Sequence, residues 1–127
     1  MKIDGGCHCG AIAYEAEVDP EKTSICHCTD CQQLTGTAFR LTVPAPENHY
    51  RITKGTPKIY TKTGASGAKR AQAFCADCGS HLYATSVGDG PKVYGIRVGT
   101  ARQREDLIPT QQKWHRSALH WLPEFQG

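Results

Sequence analysis

All seven cysteines of this 127-residue chain fall in three short clusters. Cys7 and Cys9 form CxC, Cys26, Cys28 and Cys31 form CxCxxC, and Cys75 and Cys78 form CxxC. Any fold this chain adopts has to account for thiols grouped in this way. A disulfide framework suits small secreted chains, but the cysteine count is odd and ring closure across CxC is strained. A redox CxxC expects a βαβ context with a helix opening at the motif, whereas Cys78 is followed by Gly79 after an apolar run. An iron–sulfur cluster is compatible with cysteine-rich spacing. Zinc, which prefers clustered thiolates in tetrahedral geometry, suits the pattern best.

Two zinc ions divide the seven thiols into four and three. CxC runs into Gly10 and CxxC into Gly79, so each pair ends in a glycine that lets the backbone fold back on the thiolates. Two such turns from distant parts of the chain make a closed site of Cys7, Cys9, Cys75 and Cys78. The remaining Cys26, Cys28 and Cys31 supply three ligands, and three protein ligands with an open position is the arrangement of catalytic zinc. The competing reading is a closed site completed by a histidine, with His8, His81, His115 and His120 as candidates. His27 lies between two ligands, so its side chain is expected to point away from the metal.

Composition sets outer limits. Hydrophobic residues make up 39% and charged residues 21%, which is ordinary for a single globular domain spanning residues 1–127. No apolar run is long enough to span a bilayer. The start MKIDGGCHCG has no apolar signal region, so the expectation is a cytoplasmic protein with reduced thiols. The formal charge is +3, but seven thiolates on two zinc dications bring it to about zero. The basic residues are scattered, so neither nucleic acid nor membrane is an expected partner.

Short alternating segments separated by Gly and Pro predict an all-β, mainly antiparallel fold. Residues 10–18 place Ile12, Tyr14, Ala16 and Val18 on one face. Segments 37–43, 49–53, 58–62, 70–75, 81–87 and 92–99 are further strand candidates. Residues 44–48, 54–57, 62–69 and 88–91 are breakers, with 62–69 the loop least able to pack. Helix is expected only just after Cys31 and around 100–107. Trp114 and Trp121 are expected to pack, and Asp30 to serve as a turn residue.

The ordered motifs GGCHCGAIAYE (5–15), CHCTDCQQLTG (26–36), FCADCGSHLY (74–83) and KWHRSALHWLPEF (113–125) resemble the glutathione-dependent formaldehyde-activating (GFA, or CENP-V/GFA) family over nearly the whole chain. That resemblance implies twisted antiparallel sheets of the β-tent kind, stapled by zinc. It implies a structural zinc on Cys7, Cys9, Cys75 and Cys78, and a second, more labile zinc on Cys26, Cys28 and Cys31. It also implies a carbon–sulfur lyase activity, addition of glutathione to formaldehyde to give S-hydroxymethylglutathione. Many members carry a basic residue after CxCxxC, whereas this chain has Gln32-Gln33.

The functional expectation is an enzyme whose Cys26, Cys28 and Cys31 hold a catalytic zinc. It adds glutathione or a similar thiol to formaldehyde or another small electrophile. The alternatives are a zinc- or glutathione-binding module without turnover, and a structural adaptor. Three thiolates on zinc carry a charge of −1, so nearby cations are expected. Arg40, Lys69, Arg70, Arg97 and Arg116 are the candidates.

Overall fold

The computed structural model describes residues 1–125. Strands β1 (Lys2–Gly6), β2 (Ala13–Glu17) and β5 (Tyr50–Lys54) form a three-stranded antiparallel sheet in the order β1-β2-β5. The other strands are β3 (Ser24–Cys26), β4 (Arg40–Pro46), β6 (Lys58–Thr63), β7 (Lys69–Phe74), β8 (His81–Ser86), β9 (Val93–Arg97) and β10 (Gln111–Lys113). They form a seven-stranded sheet in the order β10-β3-β4-β9-β8-β7-β6. The all-β expectation holds. Among the described residues the one parallel pair is β10 on β3, which the antiparallel reading did not include.

The expected face of the 10–18 segment is the buried one: Ile12, Tyr14, Ala16 and Val18 are all sealed from solvent. Tyr14, Ala16 and Val18 cluster with Val43, Ala45 and Ile96 of the large sheet and with Val98 just after β9, while Ile12 packs with Cys7, Cys75 and Leu82. Each fully buried aliphatic or aromatic side chain contributes about 1.5–3 kcal/mol. Four tyrosines supplement the few large aliphatics. The rings of Tyr14, Tyr50, Tyr83 and Tyr94 stack and tilt against one another with centroids 4.8–5.5 Å apart.

Three local expectations are corrected. Strand β4 does not stop at Val43 but continues through Pro44 and Pro46. The prolines occupy alternate positions, so both missing N–H groups face the same way. Beyond Thr42, β4 has no β3 residue opposite it, so no ladder bond is lost. Residues 100–107 form no α-helix; single 3₁₀ turns lie at Val98–Thr100 and Arg104–Asp106. The segment docks on β1 instead: the Arg102 amide donates to the Asp4 carbonyl at 2.9 Å, and Gln103 Nε2 donates to Asp4 Oδ1 at 2.8 Å. Trp114 and Trp121 do not pack in the core; they are 53% and 62% exposed. The Arg116 guanidinium lies over the Trp114 ring, 4.1 Å from its centre.

Among the described residues the one α-helix, α1 (Thr29–Thr35), starts within the CxCxxC motif rather than after it. Cys28 is its N-cap and Gly36, at φ 69°, closes it in the left-handed conformation. Of the expected breaker 62–69, only 64–68 form the β6–β7 hairpin turn, closed by the Gly64 amide on the Ala68 carbonyl; Lys62, Thr63 and Lys69 are paired strand residues. No helix among the described residues is long and apolar enough to cross a membrane.

Candidate metal centres and the adjoining pocket

Two turns from different sheets build the first thiol cluster. Cys7 and Cys9 lie on the β1–β2 turn, and Cys75 and Cys78 on the β7–β8 turn. Their ligand atoms all lie within 4.8 Å of one another. Both turns close on a left-handed glycine, over three residues at Cys7 and four at Cys75. The Gly10 amide bonds the Cys7 carbonyl and the Gly79 amide bonds the Cys75 carbonyl, with φ of 82° and 78°. Amides also point at sulfur: Ile12 N to Cys7 Sγ at 3.2 Å and Asp77 N to Cys75 Sγ at 3.4 Å. The Ser80 hydroxyl and amide hold Cys78 down to about 5. Ser80 Oγ also accepts from the His8 amide at 3.0 Å, adding a second link between the turns. Four thiols in tetrahedral reach of one point, with thiolate-stabilising amides, are a donor set that fits a soft dication such as zinc.

The second cluster is Cys26, Cys28 and Cys31, again within 4.8 Å of one another. Cys26 ends β3, Cys28 caps α1, and Cys31 lies in its first turn. The Cys31 amide donates to Cys28 Sγ at 3.3 Å. Hydrogen bonding from Cys31, helped by the Arg40 charge, pulls Cys26 down to about 5, while sharing that proton pushes Cys31 up. No histidine or carboxylate among the described residues joins this trio. The alternative of a closed site of three cysteines and one histidine therefore finds no fourth ligand. His27 is indeed turned away. It is 1% exposed, with Nε2 on Gln112 at 2.8 Å and its ring edge-on to His115.

Strand register brings the trio together with two arginines. Cys26 lies opposite Arg40 on β4, and Thr42, two residues on, lies opposite Arg97 on β9. Residues two apart share a face, so Cys26, Arg40 and Arg97 belong to one face of the large sheet. Both arginines are only 8% exposed. Arg97 Nη1 donates to Thr42 Oγ1 at 2.8 Å and to the Gly95 carbonyl at 3.1 Å, and Nη2 to Gln72 Oε1 at 3.3 Å. Burial, then the Arg40 charge, pushes Arg97 down to about 9, which leaves it charged at neutral pH. Arg40 is less satisfied: its Nε and Nη2 are buried and have no hydrogen-bond partner.

A cavity of about 400 Å³ opens over this face. Leu34 of α1, Tyr60 of β6, Phe74 of β7 and Tyr83 of β8 give it apolar walls, and Gln72, His81 and Arg97 give it polar ones. A bulge shapes one wall. The β7–β8 register shifts by one residue at Phe74, which places His81 rather than Leu82 opposite it. Burial, then the charges of Arg40 and Arg97, push His81 down, so it is neutral at pH 7. Asp30 is not merely a turn residue: it pairs with Lys62 Nζ at 2.8 Å, joining α1 to β6 at the rim.

Of the five basic candidates, Arg40 and Arg97 lie beside the trio. Arg116 is on Trp114, and Lys69 and Arg70 are exposed on β7. Gln32 faces away from the cavity; its Nε2 donates to the carbonyls of His27 (2.8 Å) and Ser117 (3.0 Å). Sequence reasoning missed the pocket residues Gln72, Tyr83 and His81 (the last considered only as a metal ligand). Alternation along β7 and β8 marked their strands but could not say which sheet face carried the thiols.

A two-sheet β fold carrying two thiol clusters of metal-ligand geometry defines the class of protein. A family model described as "Glutathione-dependent formaldehyde-activating enzyme" matches residues 2–117, and the chain belongs to that family. A solved Rhodobacter sphaeroides protein from structural genomics is similar in fold. Its TM-score is 0.66 at 21% identity, and the match covers 87% of this chain and 99% of that one.

Proposed function

We propose that residues 1–127 form one domain that adds glutathione or a similar thiol to a small carbonyl compound, as a zinc-dependent carbon–sulfur lyase. The observation that carries this reading is the trio Cys26, Cys28 and Cys31. It has no fourth protein ligand among the described residues, and it sits beside an open cavity. Cys26, Cys28 and Cys31 would hold the zinc, which when bound would lower the pKa of a substrate thiol toward neutral pH. Arg40 and Arg97 offset the negative charge that three cysteine thiolates gather at the site. Leu34, Tyr60 and Phe74 give the cavity apolar walls beside the reacting atoms. In the addition, the sulfur electron pair forms the new C–S bond and the carbonyl π pair moves to oxygen. The proton lost by the thiol ends on that oxygen, and neutral His81 in the cavity wall can carry it. The four-cysteine site takes a structural zinc in this scheme. Cytoplasmic location fits the need for reduced thiols.

The test is the exchange rate between formaldehyde and its glutathione adduct, followed by NMR with zinc-loaded protein. Raising the thiolate fraction from a few per cent to nearly all predicts an acceleration of about ten- to a hundredfold. Cys28→Ser should lose that acceleration while the four-cysteine site keeps its metal. Equal rates with and without protein holding two zinc ions would reject the activity and leave a binding role.

A further inference from the structure

The two buried arginines carry more positive charge than the protein around them compensates. Among the described residues, neither Arg40 nor Arg97 meets a carboxylate: the ion pairs are Arg51–Glu15, Lys62–Asp30, Arg102–Asp4 and His115–Glu124. Burying an ion without a partner costs several kcal/mol, so these guanidinium groups call for a counter-charge. The thiol trio, loaded with zinc, offsets one of the two charges. Until a substrate thiolate joins the zinc, the second guanidinium charge is left over, next to a cavity of about 400 Å³.

The wall is built to keep Arg97 in place. Thr42, Gln72 and the Gly95 carbonyl each hold one of its N–H groups, and none of them carries charge. Gly95 gives the room: a Cβ there would come within 3.1 Å of Thr42 Cγ2 and 3.5 Å of Arg97 Nη1. Behind Arg97, Arg40 has two N–H-bearing nitrogens sealed from solvent and without acceptors. Neutral donors and acceptors fix the fork of a guanidinium and leave its charge for something else to meet. Planar guanidinium groups match carboxylates in a bidentate way.

We propose that the cavity beside Cys26, Cys28 and Cys31 is a carboxylate-binding subsite, with Arg97 in its wall receiving the anion, the charge of buried Arg40 adding to the positive potential there, and Leu34, Tyr60 and Phe74 lining the space for its apolar part. The inference rests on the functional reading above in naming a reactant feature: one of the two reactants bears a carboxylate. That reactant is either the thiol or a carbonyl compound of the oxo-acid class.

Propionate tests the subsite by itself, because it has neither thiol nor carbonyl. The zinc-loaded protein is titrated with propionate and, separately, with propionamide at fixed ionic strength, following backbone and Arg Nε signals by NMR. Saturable shifts at Arg97, Gln72 and His81 are expected with propionate and not with the neutral amide. Arg97→Leu should weaken binding by at least about tenfold with both metal sites still filled, and Arg97→Lys should recover part of it. If Arg97→Leu disturbs the fold, the propionate–propionamide comparison on the unaltered protein still decides. Equal response to both probes overturns the proposal. So does undiminished propionate binding in folded, zinc-replete Arg97→Leu and Arg40→Leu proteins, which would place the anion on the metal. S-methylglutathione then separates the sources. Displacement of propionate assigns the carboxylate to the thiol, and simultaneous occupancy assigns it to the carbonyl compound; both results keep the subsite. Propionate binding without accelerated formaldehyde exchange would reject the proposed reaction alone.

Discussion

Gly5 and Gly6, just ahead of the first cysteine, sit where backbone meets backbone. A Cβ on Gly5 would collide with the Thr100 carbonyl oxygen, and one on Gly6 with that of Ile12. The obstacle in each case is main chain, which cannot swing aside. Gly5→Ala should therefore cost about 2–3 kcal/mol of stability in urea unfolding, an overpacking penalty. Gly10→Ala meets no atom, so its cost should come only from the φ of 82°. At this scale the sequence was informative. The grouping of thiols into four and three, and the glycines that turn them, followed from spacing alone. Arg40 and Arg97 stood among five basic candidates, and only strand register separated them from the rest. Register depends on which strands are neighbours, and β4 meets β9 with Thr42 opposite Arg97, 55 positions on.

Alternation marked the longer strands β2 and β4 to β9, because a half-buried strand repeats every two residues. It could not mark β3 and β10, which have three residues each and are too short to show a period. Nor could it mark β1, whose KIDGG carries one buried side chain. Helix α1 illustrates how little local signal a seven-residue helix needs when tertiary contacts hold it. Gln32 ties it to the C-terminal segment, and Asp30 ties it to β6. The Asp30 carboxylate is half exposed, so the pair is worth under about 1 kcal/mol. Asp30→Asn should lower the midpoint of thermal unfolding only slightly, and the difference should shrink in 1 M salt, where the Debye length falls to about 3 Å. A larger effect on propionate affinity than on stability would show that the α1–β6 rim shapes the cavity.

The four-cysteine cluster joins the small sheet to the large one at a single point, so metal there bears on the whole molecule. Chelation should proceed in two phases. The three-cysteine site, with fewer ligands, releases its ion first and leaves the far-ultraviolet circular dichroism unchanged. Loss from Cys7, Cys9, Cys75 and Cys78 should be slower and should collapse the unfolding transition, because binding free energy at such a site is folding free energy. Triple replacement of Cys26, Cys28 and Cys31 by Ser should remove the fast phase alone. An unchanged melting curve after both ions have gone would show that the core holds the sheets together without them.

The same joint sets a clock on the newborn chain. Cys9 and Cys75, which meet in the finished molecule, are separated by 66 positions. At about 5–20 residues per second, a ribosome needs several seconds to deliver the second pair after the first. Through that interval Cys7 and Cys9 are exposed thiols holding at most half a ligand set. Oxidant reaching the chain then, rather than after closure, would leave a protein of correct sequence that can never complete its joint.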